Sequence, residues 1–107
     1  MKITVKDHAK FAADKMAKIA LATTSRAQLD LYCLGPGQSQ KAHVHDDQDK
    51  ICYVLEGRGL FTLDGVEETL APGEAIVAPA GKSHGIENAG TTPLFVLVVV
   101  TPPPAHG

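Results

Sequence analysis

Gly37-Gln38-Ser39-Gln40-Lys41-Ala42-His43-Val44-His45 is the stretch on which the reading of the fold turns. His43 and His45 are two apart, and in an extended strand alternate side chains leave the same face. Two imidazoles then project side by side, a disposition suited to chelating one divalent ion. The flanks are strand-rich, so a strand is the setting expected for the pair. A third histidine, His84, follows in a later strand-like segment.

Working outward, Ala27, Leu29, Leu31 and Cys33 share one face of a strand that Gly35-Pro36-Gly37 ends. Downstream, Ile51 to Leu55 is β-branched, aromatic and apolar. Leu60 to Leu63 then meets Asp64-Gly65, a strong hairpin signal. Val66 to Leu70, Glu74 to Ala78 and His84 to Glu87 are further strands, separated by Ala71-Pro72-Gly73 and Pro79-Ala80-Gly81. Leu94 to Val100 is apolar on both faces, which predicts a strand buried on both sides. Near the start, Ile3 and Val5 alternate with polar residues as a short first strand would. Asp7 is placed to cap a helix over residues 8–14, and Lys15 to Thr24 reads as a short helix followed by a strand. About eight to ten short strands with turns every 8–12 residues define an all-β sandwich or barrel. Residues 101–107 read as a loose tail, and His106 within it is not a candidate ligand.

The chain has 107 residues, the size of one domain with one core. A net charge of −2 and five aromatic side chains argue against a nucleic-acid partner, which would demand a basic stripe or a stacking platform. The most apolar run is far shorter than a membrane span of about 20 residues, and Met1 to Val5 lacks a secretory leader pattern. A cytoplasmic protein with no membrane partner is the expectation. Cys33 and Cys52 show no CxxC spacing and read as small buried hydrophobes, with a disulfide open only if their strands are neighbours.

From residue 37 onward the sequence resembles the cupin superfamily. Gly37, His43, His45 and Gly57 match its first motif; Gly73, Pro79, Gly81, His84 and Asn88 match every fixed position of its second. The resemblance implies a double-stranded β-helix, or jelly-roll barrel, with a short N-terminal helix as this chain's addition. It implies one domain over 1–107: N-terminal strands and helix at 1–36, barrel core at 37–100, tail at 101–107. It also implies a divalent transition metal (Zn, Ni, Fe, Mn or Cu) held by His43, His45 and His84, with a small-molecule ligand. Members similar to this chain include metal-dependent dioxygenases and isomerases acting on small polar molecules; a non-catalytic binding or sensing module is the alternative, and a relic site serving assembly a third. Small cupins commonly pair N-terminal strands across a two-fold, so Ile3 to Val5 is expected to build a homodimer.

In one position the chain departs from the pattern. Counting back from Gly57, Lys50 stands where the family carries its glutamate ligand. An ammonium has no lone pair to offer. The shorter spacing after His45 makes Asp49 the candidate fourth ligand, or a general base if it is not one; Gln48 and water are the alternatives. Lys50 itself is open to three roles: pairing with a carboxylate, binding an anionic substrate, or snorkelling to solvent.

Overall fold

The computed structural model describes residues 1–104; His106 in the expected tail lies outside the described residues. Nine strands follow in order: β1 Ala17–Thr23, β2 Gln28–Leu34, β3 Ser39–His43, β4 Asp49–Glu56, β5 Gly59–Leu63, β6 Val66–Leu70, β7 Ala75–Ala78, β8 His84–Glu87 and β9 Leu94–Thr101. They form two antiparallel sheets, β1-β2-β9-β4-β7 and β3-β8-β5-β6, which is the jelly-roll architecture anticipated from the sequence. Asp64-Gly65 makes the β5–β6 hairpin, with both residues at positive φ (49° and 80°), the signature of a two-residue type I′ turn.

Alternation along the strands sorts the side chains. On β9 the inner residues Leu94, Val96, Val98 and Val100 are at most 4% exposed, and Phe95 on the outer face is buried too. The inner set joins Tyr32, Leu34, Cys52, Val54, Phe61, Leu70 and Ile86 in the main core between the sheets. A second cluster, Leu31, Cys33 and Phe95, lies on the outer face of the larger sheet, with Val5, Ala9, Ile19 and Leu55 packed against it.

That second cluster explains how the N-terminus departs from expectation. Residues 3–5 form no strand, and 8–14 form no helix; the helical segment is one 3-10 turn, Val5–His8. A seven-residue alanine-rich piece is too short to hold a helix without a buried face. Ala9 and Phe11 instead cover the outer sheet, Phe11 edge-on against Phe95 at 5.4 Å; in the preceding turn, Lys6 pairs with Glu56. Within Lys15 to Thr24 the expected strand is present as β1, while the short helix expected before it is absent. Cys33 and Cys52 are free thiols, on strands separated by β9. No helix among the described residues is long and apolar enough to cross a membrane.

Candidate metal centre

β3 and β8 bring the two histidine segments together. His43 is the register partner of His84, and a bulge sits between Gln40 and His43, where three steps along β3 match two along β8. Such a bulge re-aims the side chains beyond it. Just past β3, the His45 carbonyl accepts the Gly81 N–H at 2.9 Å, tying the His-Val-His segment to the corner that precedes His84. Gly85 makes the close approach feasible: a Cβ there would stand 2.8 Å from the Ala42 nitrogen.

The three rings gather accordingly. Ring centres are 4.7 Å apart for His43–His45, 4.5 Å for His43–His84 and 6.0 Å for His45–His84. Imidazoles sharing one ion at right to tetrahedral angles have centres roughly 4.5–5.3 Å apart, given metal–nitrogen bonds of about 2.1 Å. The His43 Nδ1 lies 2.9 Å from the Lys41 carbonyl, and the His84 Nδ1 lies 3.3 Å from that of Lys82. Nδ1–H donation to a carbonyl leaves Nε2 as the lone-pair atom and is the habitual outer support of a metal-binding histidine. The His84 Nε2 is buried and has no hydrogen-bond partner. An orphaned buried acceptor is costly, and a cation would satisfy it. The rings do not aim at one point, however: among the described residues no group of three or more His, Cys, Asp and Glu is arranged to hold a metal ion. The planes of His43 and His45 stand at 88°. Rotation about the side-chain bonds changes both the separation and the orientation of the rings. The donor set, and the 4.5 and 4.7 Å spacings about His43, suit a borderline divalent ion; the 6.0 Å between His45 and His84 is wider than that range and must close for all three rings to share it.

The surroundings of His84 and His45 favour the neutral ring. Burial pushes the His84 pKa down to about 4, assisted by the positive Lys50, although the Lys82 carbonyl acts in the opposite direction. His45 is lowered too, first by burial, then by His43, Lys50 and Lys18, with Asp47 opposing. Neutral imidazole is the ligating form.

The carboxylate named from the sequence is not part of this cluster. β4 alternates, so Asp49 is exposed while Lys50 points inward and is buried. The Asp49 Oδ1 accepts the Ala80 N–H at 2.8 Å, stapling β4 to the corner before His84. Gln48 is likewise engaged, its Nε2 donating to the Pro102 carbonyl at 3.2 Å. Lys50 does not snorkel: it is 5% exposed, and its Nζ donates to the Tyr32 hydroxyl at 3.1 Å. Burial pulls its pKa below the usual lysine range, with the Cys52 thiol opposing. A small closed cavity of about 10 Å³ lies among Tyr32, Lys50, Cys52 and His84. Burial raises Cys52 to about 11 and lifts Tyr32 above its ordinary range, so both keep their protons. Tyr32, Gln40 and Gly85 were not singled out in the sequence. Of these only Gly85 carried a signal, since a glycine inside a strand marks close backbone approach.

Two sheets in jelly-roll order, with histidines from β3 and β8 meeting at one end, define a small cupin-type barrel. The cupin domain profile matches residues 30–100, and the chain belongs to the cupin family. It is 45% identical to a Thermus thermophilus protein of known crystal structure, with a TM-score of 0.93 over 97% of this chain and 100% of that one. It is 37% identical over 67 residues to an oxalate-binding protein of Thermotoga maritima, covering 63% of this chain and 55% of that protein. A sugar phosphate isomerase from Silicibacter pomeroyi is 30% identical, with a TM-score of 0.77 over 85% of this chain and 62% of that one. The chain spans about half the length of the first curated relatives it matches.

Proposed function

We propose that this cupin holds a divalent transition metal through His43, His45 and His84, and that the ion receives a small polar molecule at positions the protein leaves free. The observation that carries the reading is the gathering of three imidazole rings from two distant segments, with the His84 Nε2 buried and unpartnered. Such an ion, when bound, supplies Lewis acidity to a coordinated oxygen. The chain's own residues favour the neutral form of His45 and His84, orient His43 and His84 through backbone carbonyls, and exclude bulk water behind His84. This is compatible with dioxygenase or isomerase chemistry. The buried ammonium of Lys50, in place of an acidic fourth ligand, favours a second reading, a module that binds its small molecule without turning it over.

Elemental analysis of untagged protein tests the first claim. Near one equivalent of a transition metal is expected, reduced strongly in His84→Ala. Less than about a tenth of an equivalent, with none taken up on addition, would remove the metal from the reading. Metal-dependent oxygen uptake or isomerisation across a panel of small acids and sugars then separates enzyme from binding module.

A further inference from the structure

Two edge strands leave one side of the sandwich unsealed. β1 ends the five-stranded sheet and β3 ends the four-stranded one, so each has a single partner, β2 and β8. An edge strand presents a row of unpaired N–H and C=O groups. Among the described residues, none of the backbone hydrogen bonds made by turns and loops engages Ala17 to Ala22. A bulge interrupts the β1–β2 register after Ala20, which leaves Ala17 to Ala20 as the regular part of that edge.

Between the two edges runs an open groove of about 860 Å³. Lys10, Lys15 and Lys18 supply its charge, and Phe11, Met16 and Ile19 its apolar wall. Its lining holds no acidic residue and none of the three candidate metal ligands. The ion pairs among the described residues are Lys6–Glu56 and Lys82–Asp64, so the exposed groove lysines are uncommitted; Asp14, beside Lys15 in sequence, lies outside the lining. The segment that leads into β1 is fixed in place: the Gln38 Nε2 donates to the Ala12 carbonyl at 2.7 Å, and Met16 sinks into the main core. Lysines on an edge ordinarily guard it against pairing. Such a guard repels an edge of like charge; toward carboxylates the same three lysines are attractive.

We propose that this groove receives an extended acidic segment of a partner protein, added as a further strand to the free edge of β1. Main-chain hydrogen bonds to that edge supply affinity, and carboxylates against Lys10, Lys15 and Lys18 supply selectivity. Alternate apolar side chains of the segment lie against Phe11, Met16 and Ile19. A second copy is the poorer occupant. Its acidic edge strand, β6, carries Glu67 and Glu68 in succession, and successive side chains leave opposite faces, so one of the two would turn away from the lysines. A single-stranded nucleic acid is poorer still, because the chain's net charge is −2 and no stacking platform of aromatic rings lines the groove.

Fluorescence anisotropy at low ionic strength follows a short labelled peptide that alternates glutamate and valine. Saturable binding is expected, and its absence overturns the proposal. Lys18→Glu should weaken it by about tenfold or more, the worth of one charge-assisted contact, while Lys2→Gln leaves it unchanged. The glutamine–valine counterpart and a backbone N-methylated copy, which keeps the charges but lacks main-chain donors, should each bind at least as poorly. Undiminished binding in Lys18→Glu, an exposed position whose urea midpoint should match wild type, overturns the site. Equal binding of the glutamine peptide overturns the acidic assignment, and equal binding of the N-methylated one overturns strand addition. An oligothymidylate that binds as tightly as the glutamate peptide overturns the choice of a protein partner. Oligomers dispersed alike by Lys18→Glu and by Glu67→Lys would make a second copy the occupant and overturn it too. No metal enters these measurements, so they are independent of the histidine centre.

Discussion

Adding one methyl group at Gly85 should pull the candidate centre apart. A Cβ there would lie 2.8 Å from the Ala42 nitrogen, 3.0 Å from its Cα and 3.0 Å from the Gln40 carbonyl oxygen. All three are backbone atoms of β3, so no side chain can swing away. Ordinary contact begins at 3.4 Å, and β3 must retreat from β8 by roughly half an ångström. Overpacking of this kind costs about 1–3 kcal/mol, and the stiffer unfolded chain of the alanine variant returns about 0.4–1 kcal/mol. A net loss of about 1–2 kcal/mol follows, which lowers the urea midpoint by about 1 M for a slope near 1.2 kcal/mol/M. The same retreat carries His43 and His45 away from His84, with which His43 is in register.

Gly85→Ala should therefore also weaken metal uptake by about tenfold or more, the usual cost of disturbing the support of a ligand. Gly73→Ala is the comparison: it imposes strain at φ 89°, but nothing lies within 4 Å of its Cβ. It should lose about 1 kcal/mol and keep its metal affinity. Urea unfolding and calorimetric metal titration on both variants read the two effects separately. Wild-type stability and wild-type metal uptake in Gly85→Ala would refute the account of how the histidines are brought together.

Asn88 is 1% exposed, with Nδ2 donating to the Leu34 and Thr92 carbonyls at 2.9 Å and Oδ1 accepting the Gly90 N–H. Asn88→Ala should cost about 3 kcal/mol by leaving buried carbonyls unpaired, and an unchanged urea midpoint would contradict it. His84 binds protons more weakly folded than unfolded, so metal-free protein should lose stability as pH falls from about 6.5 to about 4. The loss is on the order of 2 kcal/mol after discount for partial solvation; His84→Gln should flatten that part of the profile, and a flat wild-type profile would sink the assignment. Residues 3–5 form no strand to pair, so the homodimer expected from the sequence is predicted instead to use the outer sheet face. Ile51, Tyr53 and Val77 are 38%, 40% and 53% exposed there, with Ile51 paired to Val77. We predict a dimer in light scattering that Val77→Glu converts to monomer; a monomeric wild type would end the idea.

Much of the barrel was readable because strand parity and turn chemistry are local. Asp64-Gly65 announced its hairpin, and Leu94 to Val100 announced burial on two sides by lacking any polar alternation. The N-terminal segment was not readable for the converse reason. Residues 3–16 carry no period strong enough to choose a structure, and what decides their path is a tertiary demand: the apolar outer cluster of Leu31, Cys33 and Phe95 needs a cover. Tyr32 and Gln40 were invisible as partners of the centre because neither belongs to a spaced motif. Their importance comes from register, which places Lys18 opposite Tyr32 and Gln40 opposite Ile86.

The fourth position shows how parity overrides spacing. Along β4, whichever of residues 49 and 50 faces inward excludes the other, because consecutive side chains leave opposite faces. The inner set of this strand is Lys50, Cys52 and Val54, continuous with the core, and exchanging the two faces would bury the ionisable Asp49 and expose Val54. Asp49 could enter the centre only by slipping the strand one residue, against every apolar contact that holds β4 to β9. The cation in the barrel is therefore a consequence of the strand's register. A site that carries the Lys50 ammonium beside its three imidazoles differs in charge by two units from one that carries a carboxylate there.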